Sequence, residues 1–234
     1  FELVDLPGTY SLSAHSPEEE VTAEYLSFGG ADAVIVVCDA TALERNLYLV
    51  MQILEITEHV VVCVNLMDEA EKRGITLDLA RLSQLLGVRV VGTSARRKKT
   101  LPPLLRAAAA AARERKREPF ALRYPETVET GLFSLSARLE ELLPRQTPNR
   151  RWLAMRLLLG DSSAVDAVEK GVGRRLTDDP FLSEAMQLGR ERISRAGLDA
   201  ETEIAAARLR RAAEISAEAV SQNAGTASSR DRLA

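Results

Sequence analysis

Asp5-Leu-Pro-Gly8, Asn65-Leu-Met-Asp68 and Thr93-Ser-Ala-Arg96 occur in that order, each after an apolar run of β-forming residues. A carboxylate at the C-terminal end of a strand can meet Mg2+ through water, because that ion keeps part of its hydration shell. Asp5 is the candidate. Three residues on, Gly8 lets a backbone N–H approach a phosphate without a Cβ in the way. Leu6, Pro7, Thr9 and Tyr10 then belong to a switch segment that relaxes when that contact is lost. In the second motif, the Asp68 carboxylate can accept two hydrogen bonds from guanine, at its ring N–H and its exocyclic amine. Adenine presents an acceptor at the ring position and would leave the carboxylate partly unpaired, a penalty large enough for strong base selection. Asn65 would brace the loop and touch the base. In the third loop, after Ser94, the backbone N–H of Ala95 would donate to the guanine carbonyl oxygen.

Each motif alone has a plainer reading. Asp5 to Gly8 is also an ordinary Pro-Gly turn, and Asp68 also suits a helix cap ahead of Glu69-Ala-Glu-Lys. A Ser-Ala loop alone means little. The spacing separates the readings. Two β-α units fit between Asp5 and Asn65, and one between Asn65 and Ser94. All three motifs then fall at strand C-termini on one sheet edge, where open α/β sheets bind ligands. The joint reading is a GTP/GDP site with Mg2+. No G-x-x-x-x-G-K-[ST] phosphate loop occurs in the sequence, so these residues read as the back half of such a domain in a chain truncated at both ends.

The elements that must position these loops are legible as periodicity. Phe1 to Val4 reads as a strand end. Ser16-Pro-Glu-Glu19 reads as a capping box with proline at the first helical position, opening a helix that stops at Gly29-Gly30. Ala33–Cys38 and Val60–Val64 read as fully buried strands. Leu43–Thr57 reads as a helix with Leu47, Val50, Met51 and Leu54 on one face. An amphipathic helix over Leu77–Leu86, a strand over Val88–Gly92 and an alanine-rich helix over Leu101–Arg117 complete the first half. Val/Ile runs separated by helices predict a parallel sheet with helices on both faces. Beyond Pro119 the pattern predicts helices over 126–143, 149–159, 162–170, 180–196 and 200–222, with no strand. Gly160, Gly171 and Gly197 are the expected stops. On the last helix, Ile204, Leu209, Ala212, Ile215 and Ala219 are expected to share a face. The fold class is therefore α/β, a partial P-loop GTPase-like parallel sheet followed by an all-α helical domain.

Composition narrows the field further. The 234 residues are 46% hydrophobic and 28% charged, values that allow a core. A net charge of −3 argues against a nucleic-acid partner. Cys38 and Cys63 lie in apolar strand runs and read as small buried hydrophobes. No run is long enough to span a bilayer, so these residues are expected to be soluble.

The wording around the motifs resembles one family, the bacterial ferrous iron transport protein B (FeoB). The stretches that carry the resemblance are VDLPGTYSL (4–12), SPEE (16–19), DATALERNLYL (39–49), NLMDEAEKRGI (65–75) and WLAMRLLLGD (152–161). The resemblance implies a GTP-binding domain remnant over 1–117, a helical domain over 118–224 that stabilises the GDP-bound state, and a polar linker over 225–234. That linker would lead to a membrane permease in cis at the cytoplasmic face of the inner membrane. In the intact protein it implies GTP hydrolysis coupled to Fe2+ uptake, with this portion alone inactive and its oligomeric state open. Three positions depart from common GTPase patterns. Leu66 stands where lysine is frequent, Thr100 where glycine usually follows the Ser-Ala loop, and Thr9 where Ras-like proteins place a water-orienting glutamine, which implies slow hydrolysis. A soluble GTPase of another family and a nucleotide-free helical interaction module are the alternatives.

Overall fold

The computed structural model describes residues 2–12, 16–114, 120, 122–143, 149–173 and 175–222. In chain order its elements are α1 (Pro17–Phe28), β1 (Val34–Asp39), α2 (Leu43–Ile56), β2 (Val60–Asn65), α3 (Met67–Lys72), β3 (Ile75–Leu77), α4 (Leu79–Leu86), β4 (Arg89–Gly92), α5 (Leu101–Arg113), α6 (Glu126–Leu142), α7 (Arg150–Leu159), α8 (Ser162–Val172), α9 (Pro180–Arg195), α10 (Ala200–Ala219) and β5 (Val220–Gln222). They divide between two compact units: one of Asp32–Val50, Glu58–Glu118 and Arg210–Ala234, the other of Phe1–Ala31, Met51–Thr57 and Pro119–Leu209.

The first of these units is built on a parallel sheet in the order β1-β2-β4. Val34 pairs with Val60 and Asp39 with Asn65, while Val64 pairs with Gly92. β2 is central and buried from Val60 to Val64, because a strand covered on both faces can be apolar throughout. Leu104, Ala107 and Ala111 of α5 pack on Val61 and Cys63. β1 departs from the expectation of a fully buried strand, since Val37 is 60% exposed. Its second edge carries no described partner, and an edge strand leaves one flank to solvent. Both cysteines are buried and unpaired, and burial pushes the Cys38 thiol up to about 12.

Two strands depart from the sequence reading. Residues 75–77 form β3 rather than the first turn of a helix, and 220–222 form β5 rather than the end of one. They pair antiparallel, Ile75 with Gln222 and Leu77 with Val220. Asp78 then caps α4, its carboxylate accepting the Arg81 N–H at 2.8 Å, and its own N–H donates to Ala219 O at 2.8 Å. Neither three-residue strand shows a period of its own, so only the pairing reveals them. The predicted end of the alanine-rich helix at 115–117 lies outside the described residues.

The other unit is helical. Val128, Leu132, Leu135 and Leu139 of α6 are wholly buried, as are Leu153 and Leu157 of α7 and Leu182 of α9. Ser16 opens α1, accepting the Glu19 N–H on its hydroxyl at 3.3 Å. Asp179 opens α9, its carboxylate accepting the Leu182 N–H at 2.8 Å and holding Arg138 through two further hydrogen bonds. Gly160 ends α7 at φ 80° as expected, but α8 runs through Gly171 and turns at Gly173, φ 67°, the conformation glycine adopts most readily. On α10 the buried stripe runs Ile204, Arg208, Ala212, Ile215, Ala219, whereas Leu209 is 57% exposed. A three-four spacing selects position 208, and a five-residue step rotates away from it. Arg208 is acceptable there because its guanidinium bonds Glu55 Oε2 at 2.9 and 2.7 Å and Tyr124 donates its hydroxyl to Glu55 Oε1.

Residues 2–9 carry no regular structure, so the expected strand end at 1–4 is absent from described residues 2–4. Leu3 and Val4 are 76% and 52% exposed. An extended segment becomes a strand only by pairing, and no described strand pairs with it. Asp5 therefore does not follow a sheet strand, as the common-edge reading expected.

Candidate functional site

β2 and β4 are adjacent and parallel, so their C-terminal ends, at Asn65 and Gly92, lie side by side. The turn after β4 is tied back to β2: the Thr93 N–H donates to Val64 O at 2.8 Å and the Met67 N–H to Thr93 O at 3.1 Å. From this base the two loops are cross-braced by side chains. Asn65 Oδ1 accepts the Thr93 hydroxyl at 3.1 Å and the Ala95 N–H at 3.0 Å. Ser94 Oγ accepts the Asp68 N–H at 3.2 Å. The Ser94 hydroxyl, bonded to the Asp68 carboxylate, holds it below the usual carboxylate range against a smaller opposing effect of burial, with Arg97 and Lys72 adding to the lowering. Asp68 thus stays anionic.

The brace continues through a residue the sequence reading marked only as a departure. Thr100 Oγ1 accepts the Ser94 N–H at 3.2 Å and lies 3.1 Å from Ser94 O and 2.9 Å from Arg97 O. One hydroxyl here closes a loop that glycine would leave freer. Asp39, at the end of β1, plays a similar part. Its Oδ1 accepts the Thr41 N–H at 2.7 Å and hydroxyl at 2.8 Å, and the neighbouring Ala40 N–H donates to Asn65 O at 2.9 Å. The sequence assigns Thr93 and Asp39 no role of their own and shows Thr100 only as a departure from the common pattern. For Thr93 and Asp39, a hydroxyl or carboxylate at the end of a buried strand is the available signal.

Two local readings change. Asp68 does not cap α3; the cap position is Leu66, held at φ 62°, ψ 31°. Leu66 is the only described non-glycine residue with positive φ, a conformation that strains a side-chain-bearing residue. The Ala95 N–H, expected to face a ligand, donates to Asn65 instead.

Asp5, Leu6, Pro7, Gly8, Thr9 and Tyr10 belong to the helical unit. Asp5 and Gly8 are exposed, and a Cβ built at Gly8 would meet no heavy atom within 4 Å. Packing within the protein therefore does not demand glycine there. Thr9 orders the following turn, donating to Ser11 O and accepting the Ser11 N–H at 3.1 Å. The Thr22 hydroxyl donates to Pro7 O at 3.4 Å. Among the described residues no group of three His, Cys, Asp or Glu side chains could hold a metal. Asp5 fits Mg2+ only as a lone carboxylate completed by water and phosphate oxygens, a usual arrangement for that ion. Among the described residues no helix is long and apolar enough to cross a membrane.

Comparison with known proteins gives this geometry a family. Residues 1–108 match the model for ferrous iron transport protein B, and residues 124–221 the model for the FeoB cytosolic helical domain. A Porphyromonas gingivalis Fe(2+) transport protein A/Fe(2+) transporter FeoB fusion protein is 39% identical over 165 residues, 68% of this chain and 19% of that protein. The chain thus spans about a fifth of that relative's length. Among solved structures, the cytosolic domain of the T. maritima FeoB iron transporter in a GMPPNP form is 30% identical, with 93% of this chain and 80% of that one covered and a TM-score of 0.73. A GDP-bound S. thermophilus NFeoB variant is 29% identical over 93% of this chain and 80% of that one, with a TM-score of 0.78. With both domain models matched and solved relatives covered over most of their length, this chain belongs to the ferrous iron transport protein B family.

Proposed function

We propose that this chain is the guanine-nucleotide-binding regulatory portion of a ferrous iron transporter. Asp68, held in register by Ser94, reads the ring N–H and exocyclic amine of guanine, and the Ala95 N–H, placed by Asn65 before the base enters, exchanges that acceptor for the guanine carbonyl. Asp5 meets Mg2+ through water. Gly8 presents its N–H to the terminal phosphate, and Leu6, Pro7, Thr9 and Tyr10 move with that contact. The observation that carries this reading is the cross-brace itself: Asn65 to Ala95 and Ser94 to Asp68 join the two loops that a guanine base would bridge.

The domain reading is GTP-binding residues over 1–117, a helical domain over 118–224 and a linker over 225–234, which lies outside the described residues, at the cytoplasmic membrane face with a permease in cis. The intact protein would hydrolyse GTP and use the cycle to gate Fe2+ entry. The relatives are Fe(2+) transporters, and solved relatives in GMPPNP and GDP-bound forms support the nucleotide. The test is equilibrium binding of GDP and ADP to the intact gene product. GDP should bind at least about a hundredfold tighter, as expected where a polar site rejects the wrong pattern. Equal affinities would contradict the reading.

A further inference from the structure

Four residues after Gly8 the chain is no longer exposed. Leu12 is 3% exposed, and two buried polar side chains hold its backbone. Its N–H donates to Gln52 Oε1 at 2.9 Å, and its carbonyl accepts Arg156 Nη1 at 3.4 Å. Gln52 on α2 is 3% exposed and Arg156 on α7 is 5% exposed. Gln52 Nε2 also lies 3.5 Å from Ser11 Oγ. Arg156 is anchored on its far side by an ion pair with Asp161 and lies over the Trp152 ring at 5.9 Å. Its Nε is buried with no hydrogen-bond partner.

A buried guanidinium and a buried amide are expensive to place in a helical core unless they are paired, and the Leu12 backbone supplies part of that pairing for both. Leu12 is more than filler by position. It ends the segment that begins at Asp5, and the four residues of chain from Gly8 reach about 14 Å at most. A displacement of Gly8 toward a ligand must be absorbed within that short tether or transmitted to Leu12. Moving Leu12 would strip both buried groups of a partner, so the two arrangements differ by a discrete step rather than a graded bend.

We propose that Gln52 and Arg156 are positioning residues that clamp Leu12, and that this clamp couples the position of the Asp5–Gly8 segment to the helical core. The proposal rests on the guanine-nucleotide reading above. By reciprocity, if the segment's position changes with the nucleotide, loosening the clamp changes the relative affinity for two nucleotides. Neither side chain is among the proposed nucleotide contacts, so each acts through Leu12.

The test uses the intact gene product, with GDP and GMPPNP as probes. In the unmutated protein, hydrogen exchange at the Leu12 amide should differ between the two nucleotides. Gln52→Leu and Arg156→Met should each speed that exchange by roughly tenfold or more, and shift the ratio of GDP to GMPPNP affinity by about fivefold or more. Gln52→Glu keeps the acceptor for the Leu12 N–H and should restore the ratio. Faster exchange with an unchanged ratio, or unmutated exchange indifferent to the nucleotide, would overturn the proposal; the second readout needs no variant to fold. An unmutated protein that binds neither nucleotide removes the guanine reading and the coupling with it, and leaves a structural contact.

Discussion

The Oδ1 atom of Asn65, at the end of β2, accepts the backbone N–H of Ala95 at 3.0 Å, across to the loop that follows β4. The same oxygen holds the Thr93 hydroxyl, so one side chain orders both loops. A base entering here would exchange one acceptor for another at Ala95 rather than meet an empty donor, which favours reversible binding.

Asn65→Ala leaves the Ala95 N–H and the Thr93 hydroxyl without that acceptor. The loss should be about 1–2 kcal/mol, roughly five- to thirtyfold faster GDP release. Stopped-flow displacement of a fluorescent GDP analogue measures it.

Ser94→Ala tests the electrostatics of the same site. The Ser94 hydroxyl depresses the Asp68 pKa in the folded protein. Such a group contributes stability that is full above its unfolded value and lost as pH falls through its folded value. Without the hydroxyl the folded value returns toward the ordinary one, so loss of GDP binding on acidification should begin at a higher pH. A pH series of binding isotherms for the two proteins reads this directly.

Leu66 at φ 62° is a backbone position that a β-branched residue tolerates poorly. Leu66→Val should destabilise by about 1–2 kcal/mol, seen as a lower melting temperature. Leu66→Gly, which accepts positive φ without strain, should melt above the valine variant.

The Glu55–Arg208 pair is buried, and both partners are nearly inaccessible. Arg208→Met leaves an uncompensated carboxylate and should cost about 3–5 kcal/mol. Adding Glu55→Leu and Tyr124→Phe removes the stranded groups and should restore most of the loss. Denaturant unfolding of the single and triple variants provides the comparison.

Local signals carried most of the fold. The stripe Leu47, Val50, Met51, Leu54 is buried as its spacing implies, and Ser16 and Asp179 open helices because a cap's hydrogen bond closes within three residues. The misses required partners distant in sequence. β3 and β5 exist only through each other, no described strand pairs with residues 2–4, and Arg208 displaces Leu209 from the core stripe because Glu55 awaits it. At the candidate site, Asn65 and Asp68 were legible as a spaced pair. The hydroxyls of Thr93 and Thr100 were not, because a threonine's role in a loop depends on which carbonyls the fold brings to it.

The most direct test of guanine recognition is the nucleotide preference of Asp68→Asn in the intact gene product. An amide at position 68 can donate to the extra carbonyl of xanthine but repels the guanine amine. GDP affinity should fall by about a hundredfold, and xanthosine diphosphate should become the tighter ligand. Unchanged GDP affinity would contradict the assignment of Asp68, and with it the site.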